Sequence, residues 1–311
     1  MESSTTGAPA AAQAPVAEGR PGPAARIARK ARSFAALARR PSPAESRGMY
    51  LDLVEKALLH TLYYPPDTQP APEFFQAAFM EALERDGIDP ASLALRSTPE
   101  ANRAQGRDWP IYAQTMIGAK RLRNLRRCIQ EVLADGVPGD LIEAGCWRGG
   151  AAIMMRATLK AHGARGRIVY AADSFAGVPA PDPEAYPADA DDLNYTADAL
   201  AVPLEEVRAN FERYGLLDEN VRFLEGLFKD TLPTVRDNRW AVVRLDGDLY
   251  ESTMDGLENL YPGLSVGGFM IVDDYGWDNC RQAVEDFRAE HGITEPIARI
   301  DWVGAYWRRA A

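Results

Sequence analysis

Two acidic segments, distant in the chain, carry the residue types best suited to chemistry. RLDGDLYEST (244–253) holds Asp246 and Asp248, and IVDDYGWDN (271–279) holds Asp273 and Asp274. Each closes a short apolar run of the kind that forms a parallel strand, so neighbouring strand ends bring the four carboxylates to one sheet edge. Carboxylates that close repel unless they are protonated or neutralised by a cation. Oxygen-only donors suit a hard divalent ion such as Mg²⁺, which keeps positions open for water or substrate and makes a bound hydroxyl more acidic. Asp248, two residues beyond Asp246, is the expected proton acceptor. Either segment alone reads equally well as a helix cap and a solvated face, and DxD recurs by chance. Both falling at adjacent strand ends favours the cation site. DxD also serves metal-dependent glycosyltransferases, which grip a nucleotide-sugar diphosphate with it. That second reading needs neither the second acidic pair nor the glycine turn upstream.

The turn is LIEAGCWRGGA (141–151), a strand, a glycine-rich bend and the start of a helix. Ligands of open α/β sheets bind beyond the carboxyl ends of the strands, where Gly145, Cys146, Arg148 and Gly149 fall. A dinucleotide site of GxGxxG type requires glycine at position 147, against the pyrophosphate, and this chain has Trp147. S-adenosylmethionine has no phosphate and makes no such demand. Asp173 ends the second strand, where a carboxylate can accept both ribose hydroxyls, although a helix cap before Ser174 explains it too. Glu143 lies inside the first strand, near the expected cationic amino-acid end of the cofactor. A metal-activated hydroxyl attacking the sulfonium methyl must lie in line with carbon and sulfur, which is largely a positioning task.

The elements that must position these groups follow from periodicity. From Asp140 onward strands and helices alternate, which implies a mostly parallel sheet. The strands are expected at 140–145, 167–173, 221–226, 240–246, 268–274, 297–301 and 305–309, the last two as an antiparallel hairpin. Asp278 is expected to cap the last long helix. Before the sheet, Leu51, Val54, Leu58 and Leu62 recur at helical spacing until Pro65–Pro66. Further helices are expected over 72–85 and 115–133. The division that results is an Ala/Pro/Arg-rich disordered arm (1–47), a helical extension (48–135) and an α/β domain (136–311).

Charge and composition exclude several classes. Residues 1–47 carry eight Lys/Arg against three Glu, and the net charge of the chain is -10, so residues 48–311 carry -15. An acidic body repels nucleic acid and favours a small-molecule partner. The basic stretch 26–40 reads as a solvated tail, with a membrane-, partner- or subunit-touching helix as the alternative. No apolar run is long enough to span a membrane, and the start lacks a signal-peptide layout. Three unpaired-looking cysteines, Cys128, Cys146 and Cys280, fit a reducing cytoplasm. Cys146 reads as a packed residue, and His60, His162 and His291 as surface or packing groups. The acidic, proline-rich segment 180–195 reads as a lid or as a loop without function. Tyr63, Tyr64, Phe74, Phe75, Trp109 and Tyr112 wall an acceptor pocket or pack helices and subunits.

With those residues in place, the chain from about Tyr50 onward resembles the macrocin O-methyltransferase family of antibiotic-tailoring enzymes. The resemblance rests on TMIGAKRLRNL (115–125), GDLIEAGCWRGGA (139–151), ADSFAGVP (172–179), NVRFLEGLFKDTLP (220–233), RLDGDLYEST and GGFMIVDDYG (267–276). It implies a class I S-adenosylmethionine-dependent methyltransferase fold of seven strands, mostly parallel with the last antiparallel. It also implies methylation of a sugar hydroxyl on a glycosylated secondary metabolite with Mg²⁺, in a homo-oligomer. Carried over by position, Asp246, Asp273 and Asp274 would hold the metal. Thr115, Met116, Gly145, Arg148, Asp173, Ser174, Gly226, Leu227 and Phe228 would line the cofactor. A catalytically silent binding protein of the same fold is the third reading.

Overall fold

In the computed structural model, which describes residues 40–62, 67–85, 87, 89 and 98–310, the first helix begins before position 48, where the helical extension was expected to start. Helix α1 (Pro43–Leu58) starts early because Ser42-Pro43-Ala44-Glu45 is a reciprocal cap. The Ser42 amide donates to Glu45 Oε2 at 2.7 Å and the Glu45 amide to Ser42 Oγ at 3.2 Å, with proline at the first helical position. Leu51, Val54 and Leu58 are buried as their spacing predicts, whereas Leu62 lies past the helix and is exposed. Helix α2 (Glu73–Arg85) matches its expected span. Three elements were not anticipated. Strands β1 (Thr68–Gln69) and β2 (Trp109–Pro110) pair antiparallel, and α3 (Pro99–Gln105) is capped by Thr98 and ended by left-handed Gly106. Helix α4 (Gly118–Ala134) follows. The basic stretch 26–39, Tyr63, Tyr64, Pro65, Pro66 and the Phe74 side chain lie outside the described residues.

The apolar runs form one seven-stranded sheet of β3 (Asp140–Ala144), β4 (Val169–Asp173), β5 (Val221–Glu225), β6 (Trp240–Leu245), β7 (Leu264–Val272), β8 (Ala298–Arg299) and β9 (Ala305–Arg308). Their order is β5-β4-β3-β6-β7-β9-β8. Strands β3 to β7 are parallel, and β9 inserts antiparallel between β7 and β8, so the expected closing hairpin is present. The strand order reverses direction between β3 and β6, the place where such sheets open a crevice for ligands.

Both faces are covered, which is why the central strands are apolar throughout. On one side α4, α5 (Gly150–Ala161) and α6 (Leu204–Arg213) bury Leu122, Leu125, Ile129, Ile153, Val207 and Phe211. A short turn, α7 (Phe228–Thr231), precedes β6. On the other side α8 (Tyr250–Leu260) and α9 (Asp278–Glu290) bury Leu257, Leu260, Val284 and Phe287. Truncating any of these aliphatic residues to alanine costs about 2–5 kcal/mol. Asp278 does not cap α9. It is the first helical residue, and its carboxylate pairs instead with Arg85 and Arg281. Among the described residues no helix is long and apolar enough to cross a membrane.

Candidate active site

The candidate residues meet because four strands end in step. Leu245 pairs with both Ala144 and Val272, and Ala144 also pairs with Ala172. The next residue on each strand, Asp173, Gly145, Asp246 and Asp273, therefore stands at the same edge. The Asp246 amide donates to Ala144 O and the Asp273 amide to Leu245 O, each at 2.8 Å. Gly145 has φ 88°, and a Cβ there would sit 1.7 Å from Asp246 O. The close approach that demands glycine is thus to the neighbouring strand end, which carries the acidic loop.

Asp173 clamps the glycine turn. Its Oδ2 accepts from the amides of Cys146 (2.7 Å) and Trp147 (3.2 Å), and its Oδ1 from that of Phe175 (2.8 Å). The carboxylate is therefore more than a helix cap, and it borders the cavity. Trp147 is held at φ 46°, unusual for a bulky residue, with its indole N–H donating to Ala199 O at 2.8 Å. Arg148 points away from the cavity. Its guanidinium donates to Ile111 O (2.6 Å) and Ala113 O (3.0 Å), bracing the segment that delivers Thr115 and Met116.

Three carboxylates, those of Asp246, Asp248 and Asp274, converge with oxygens within 4.8 Å of one another. Asp248 takes a left-handed φ of 60°, and its amide donates to Asp274 Oδ2 at 3.3 Å. Asp273 faces elsewhere: its Oδ1 lies 2.5 Å from Arg244 Nη2, and its Oδ2 is bound by Arg121. Arg244 also reaches Glu143 Oε1 at 2.6 Å and Asp246 Oδ2 at 2.8 Å, and Arg121 reaches Asp301 at 3.1 Å. Four carboxylates thus pair with two guanidinium groups, and Asp248 and Asp274 stand beside them without one, an excess of four negative charges when all six are ionised. Burial pushes Glu143 up to about 8, with Arg244 pulling the other way. Burial and mutual repulsion hold Asp248 and Asp274 well above the ordinary carboxylate range, and Asp246 is raised by burial against the pull of Arg244. Convergent oxygen donors with a deficit of positive charge fit a hard divalent cation.

The cluster faces a cavity of about 860 Å³. Thr115, Met116, Glu143, Gly145, Cys146, Asp173, Ser174, Leu227 and Phe228 line it together with Asp246, Asp248, Asp273 and Asp274. Arg148, Gly149 and Gly226 do not. Gly149 packs under Val207 and Phe211, and Gly226, at φ 138°, turns the chain so that Leu227 and Phe228 face inward. Ala180, Asp182 and residues 191–194 of the acidic segment also border the cavity. None of the three histidines does. Burial raises the Cys146 thiol well above its ordinary value, which disables it as a nucleophile. Sequence reasoning missed Arg121, Arg244, Asp301, Trp277 and Trp302, whereas Phe75 and Trp109, named as pocket or packing aromatics, do border the cavity. Arg244 did leave a signal, because an arginine inside the apolar run WAVVRLD needs a buried partner.

A seven-stranded sheet of this order, with a glycine turn after the first parallel strand and acidic strand ends beside it, defines a methyltransferase of class I fold. The macrocin-O-methyltransferase (TylF) family model matches residues 47–309, and the chain belongs to that family. It is 51% identical over 269 residues to the 8-demethyl-8-(2,3-dimethoxy-alpha-L-rhamnosyl)-tetracenomycin-C 4'-O-methyltransferase of Streptomyces olivaceus, covering 86% of this chain and 95% of the relative. It is 46% identical over 273 residues to the mycinamicin III 3''-O-methyltransferase of Micromonospora griseorubida, covering 87% and 100%. The solved structure of the O-methyltransferase NovP superposes with a TM-score of 0.74 at 46% identity, covering 85% of this chain and all of that one. The chain is therefore an O-methyltransferase, and neither the glycosyltransferase nor the silent-protein reading is favoured.

Proposed function

We propose that the protein transfers the methyl group of S-adenosylmethionine to a sugar hydroxyl of a glycosylated secondary metabolite, with Mg²⁺ held at the acidic strand ends. The observation that carries this reading is the convergence of Asp246, Asp248 and Asp274 on a cavity walled by the Gly145–Trp147 turn. Asp246 and Asp274 hold the ion, with Asp248 beside them to receive the hydroxyl proton. Asp273, expected as a ligand, instead orients Arg121 and Arg244 in the geometry present. When bound, the ion supplies Lewis acidity toward the acceptor oxygen. The chain's own residues do the rest. Asp173 fixes the turn that seats the cofactor, and the anionic surroundings favour a sulfonium and an ammonium group.

Beyond the acids the cavity wall turns aromatic. Phe75 meets Trp109 and Trp277 at ring-centroid distances of 5.4 and 6.0 Å, and Trp277 meets Trp302 at 5.4 Å. Such a wall suits the C–H faces of a sugar and an apolar aglycone. Two relatives bear on the acceptor class, since their names specify positions on glycosylated antibiotics. The test is methyl transfer from S-adenosylmethionine to a panel of glycosylated macrolides, aminocoumarins and aromatic polyketides. Turnover is expected on at least one of them, lost with EDTA and restored by Mg²⁺. Turnover that persists in EDTA overturns the metal requirement.

A further inference from the structure

Between β4 and α6 the chain crosses the mouth of the cavity, and one residue of that crossing is out of character. Asp189 lies in an acidic stretch, yet it is 1% exposed and pairs with no basic side chain among the described residues. Its Oδ1 accepts from the Tyr250 amide at 2.6 Å, and its Oδ2 from the Glu251 amide at 3.1 Å. These are the first two residues of α8, whose own cap position, Leu249, offers no side-chain acceptor. The carboxylate thus caps α8 from another segment, where the helix dipole favours a negative charge. Asn279, at the start of α9, completes the arrangement. Its Nδ2 donates to Asp189 Oδ1 and to the main-chain oxygen of Asp248, each at 3.0 Å.

We infer that Asp189 is a positioning residue: by capping α8 and holding Asn279 it ties the cavity-covering segment to the loop that carries Asp248. Residues 191–194, which border the cavity, follow it directly, and the Trp147–Ala199 bond pins the far end of the same stretch. The cover and the 246–249 loop therefore order and loosen together. Asp248 needs such support, because its left-handed backbone is a conformation that few non-glycine residues hold unaided. The catalytic consequence rests on the proposed role of Asp248, whereas the mechanical link does not.

Hydrogen–deuterium exchange of the full chain with S-adenosylhomocysteine and MgCl₂ tests the link, without any acceptor. Asp189→Asn is expected to speed exchange about ten-fold in both 187–198 and 246–252, since the new Nδ2 meets a donor either way round: the Glu251 N–H in one orientation, the Tyr250 N–H and Asn279 Nδ2 in the other. Affinity for S-adenosylhomocysteine is expected to change less than about three-fold, while kcat falls at least about ten-fold. Faster exchange in 187–198 alone, or in neither segment, overturns the inference, whereas an unchanged kcat with coupled exchange overturns only the role given to Asp248. Should Asp189→Asn fail to fold, Asn279→Ala keeps the two α8 amides on Asp189 and removes the bridge from Asp189 to the Asp248 main chain. It is expected to loosen 246–249 and lower kcat with 187–198 still protected, and wild-type behaviour at 246–249 overturns the inference. If Asp248→Asn turns over like the wild type while coupled exchange persists, the role given to Asp248 fails and the link stands.

Discussion

Arg244 and Asp246 lie two residues apart at the end of β6, on one face of the strand, with Nη2 2.8 Å from Oδ2. The same guanidinium touches Glu143 and Asp273, so one buried cation holds three acids in place. Removing it leaves those charges uncompensated, at a cost of about 3–5 kcal/mol. Arg244→Met is expected to lower Tm by roughly 6–10 °C in calorimetry. MgCl₂ is expected to recover part of that loss, because a divalent cation meets the same deficit. A Tm within about 2 °C of wild type would show that the guanidinium is not what holds these acids together.

Asp246 and Asp273 are adjacent on the sheet edge but do different work. Asp246→Asn removes a donor of the convergent triad while its repulsion with Asp248 and Asp274 also disappears. It is expected to lose Mg²⁺ binding in titration calorimetry and at least about 100-fold in kcat, with an unchanged or higher Tm without metal. Asp273→Asn deprives Arg121 and Arg244 of a shared partner and is expected to unfold at lower temperature. If instead Asp273→Asn keeps its Tm and loses only the metal, the carboxylate leaves its arginines to join the ion.

Asp173 accepts three main-chain amides, two of them from the glycine turn. Asp173→Ala is expected to weaken S-adenosylhomocysteine binding by about 10- to 100-fold in calorimetry, since turn geometry and a ribose acceptor are lost together. Asp173→Asn keeps one acceptor and is expected to fall between. Wild-type affinity in Asp173→Ala would remove both roles.

The strand ends were legible in the sequence because a parallel strand covered on both faces is an uninterrupted apolar run. A charged residue at its close then marks the sheet edge. Asp173, Asp246 and Asp273 were placed in this way. The orientation of each carboxylate was not legible, because it depends on partners from distant segments. Arg121 comes from α4, held by Asp301 of the β8–β9 turn, and with Arg244 it turns Asp273 away from Asp246, Asp248 and Asp274. The start of α1 was legible but went unread, since Ser42, Pro43 and Glu45 spell a reciprocal cap. The β1–β2 pair was not, because two-residue strands carry no periodicity.

Stability without ligands is expected to fall as pH rises from 5 to 8. Burial raises Asp192 and Asp255 to about 6, and Glu143 to about 8. An acid whose folded value lies above its unfolded one binds more protons in the native state. Its contribution is full below the unfolded value, near 4, and is lost as pH climbs through the folded value. Loss near pH 6 is expected from Asp192 and Asp255, and continued loss toward pH 8 from Glu143. His162, lowered by burial, gives an opposite slope below its ordinary 6.5. Asp67, Asp218 and Glu295, also lowered, lose their contribution only in more acidic solution. Calorimetry without ligand is expected to show Tm dropping by about 5 °C or more across that interval. MgCl₂ and S-adenosylmethionine are expected to flatten the slope, since both bring positive charge to acids that would otherwise stay protonated. A Tm that rises with pH without ligand would mean that these acids are ionised and paired in the native state, and the case for a missing cation would lose its electrostatic basis.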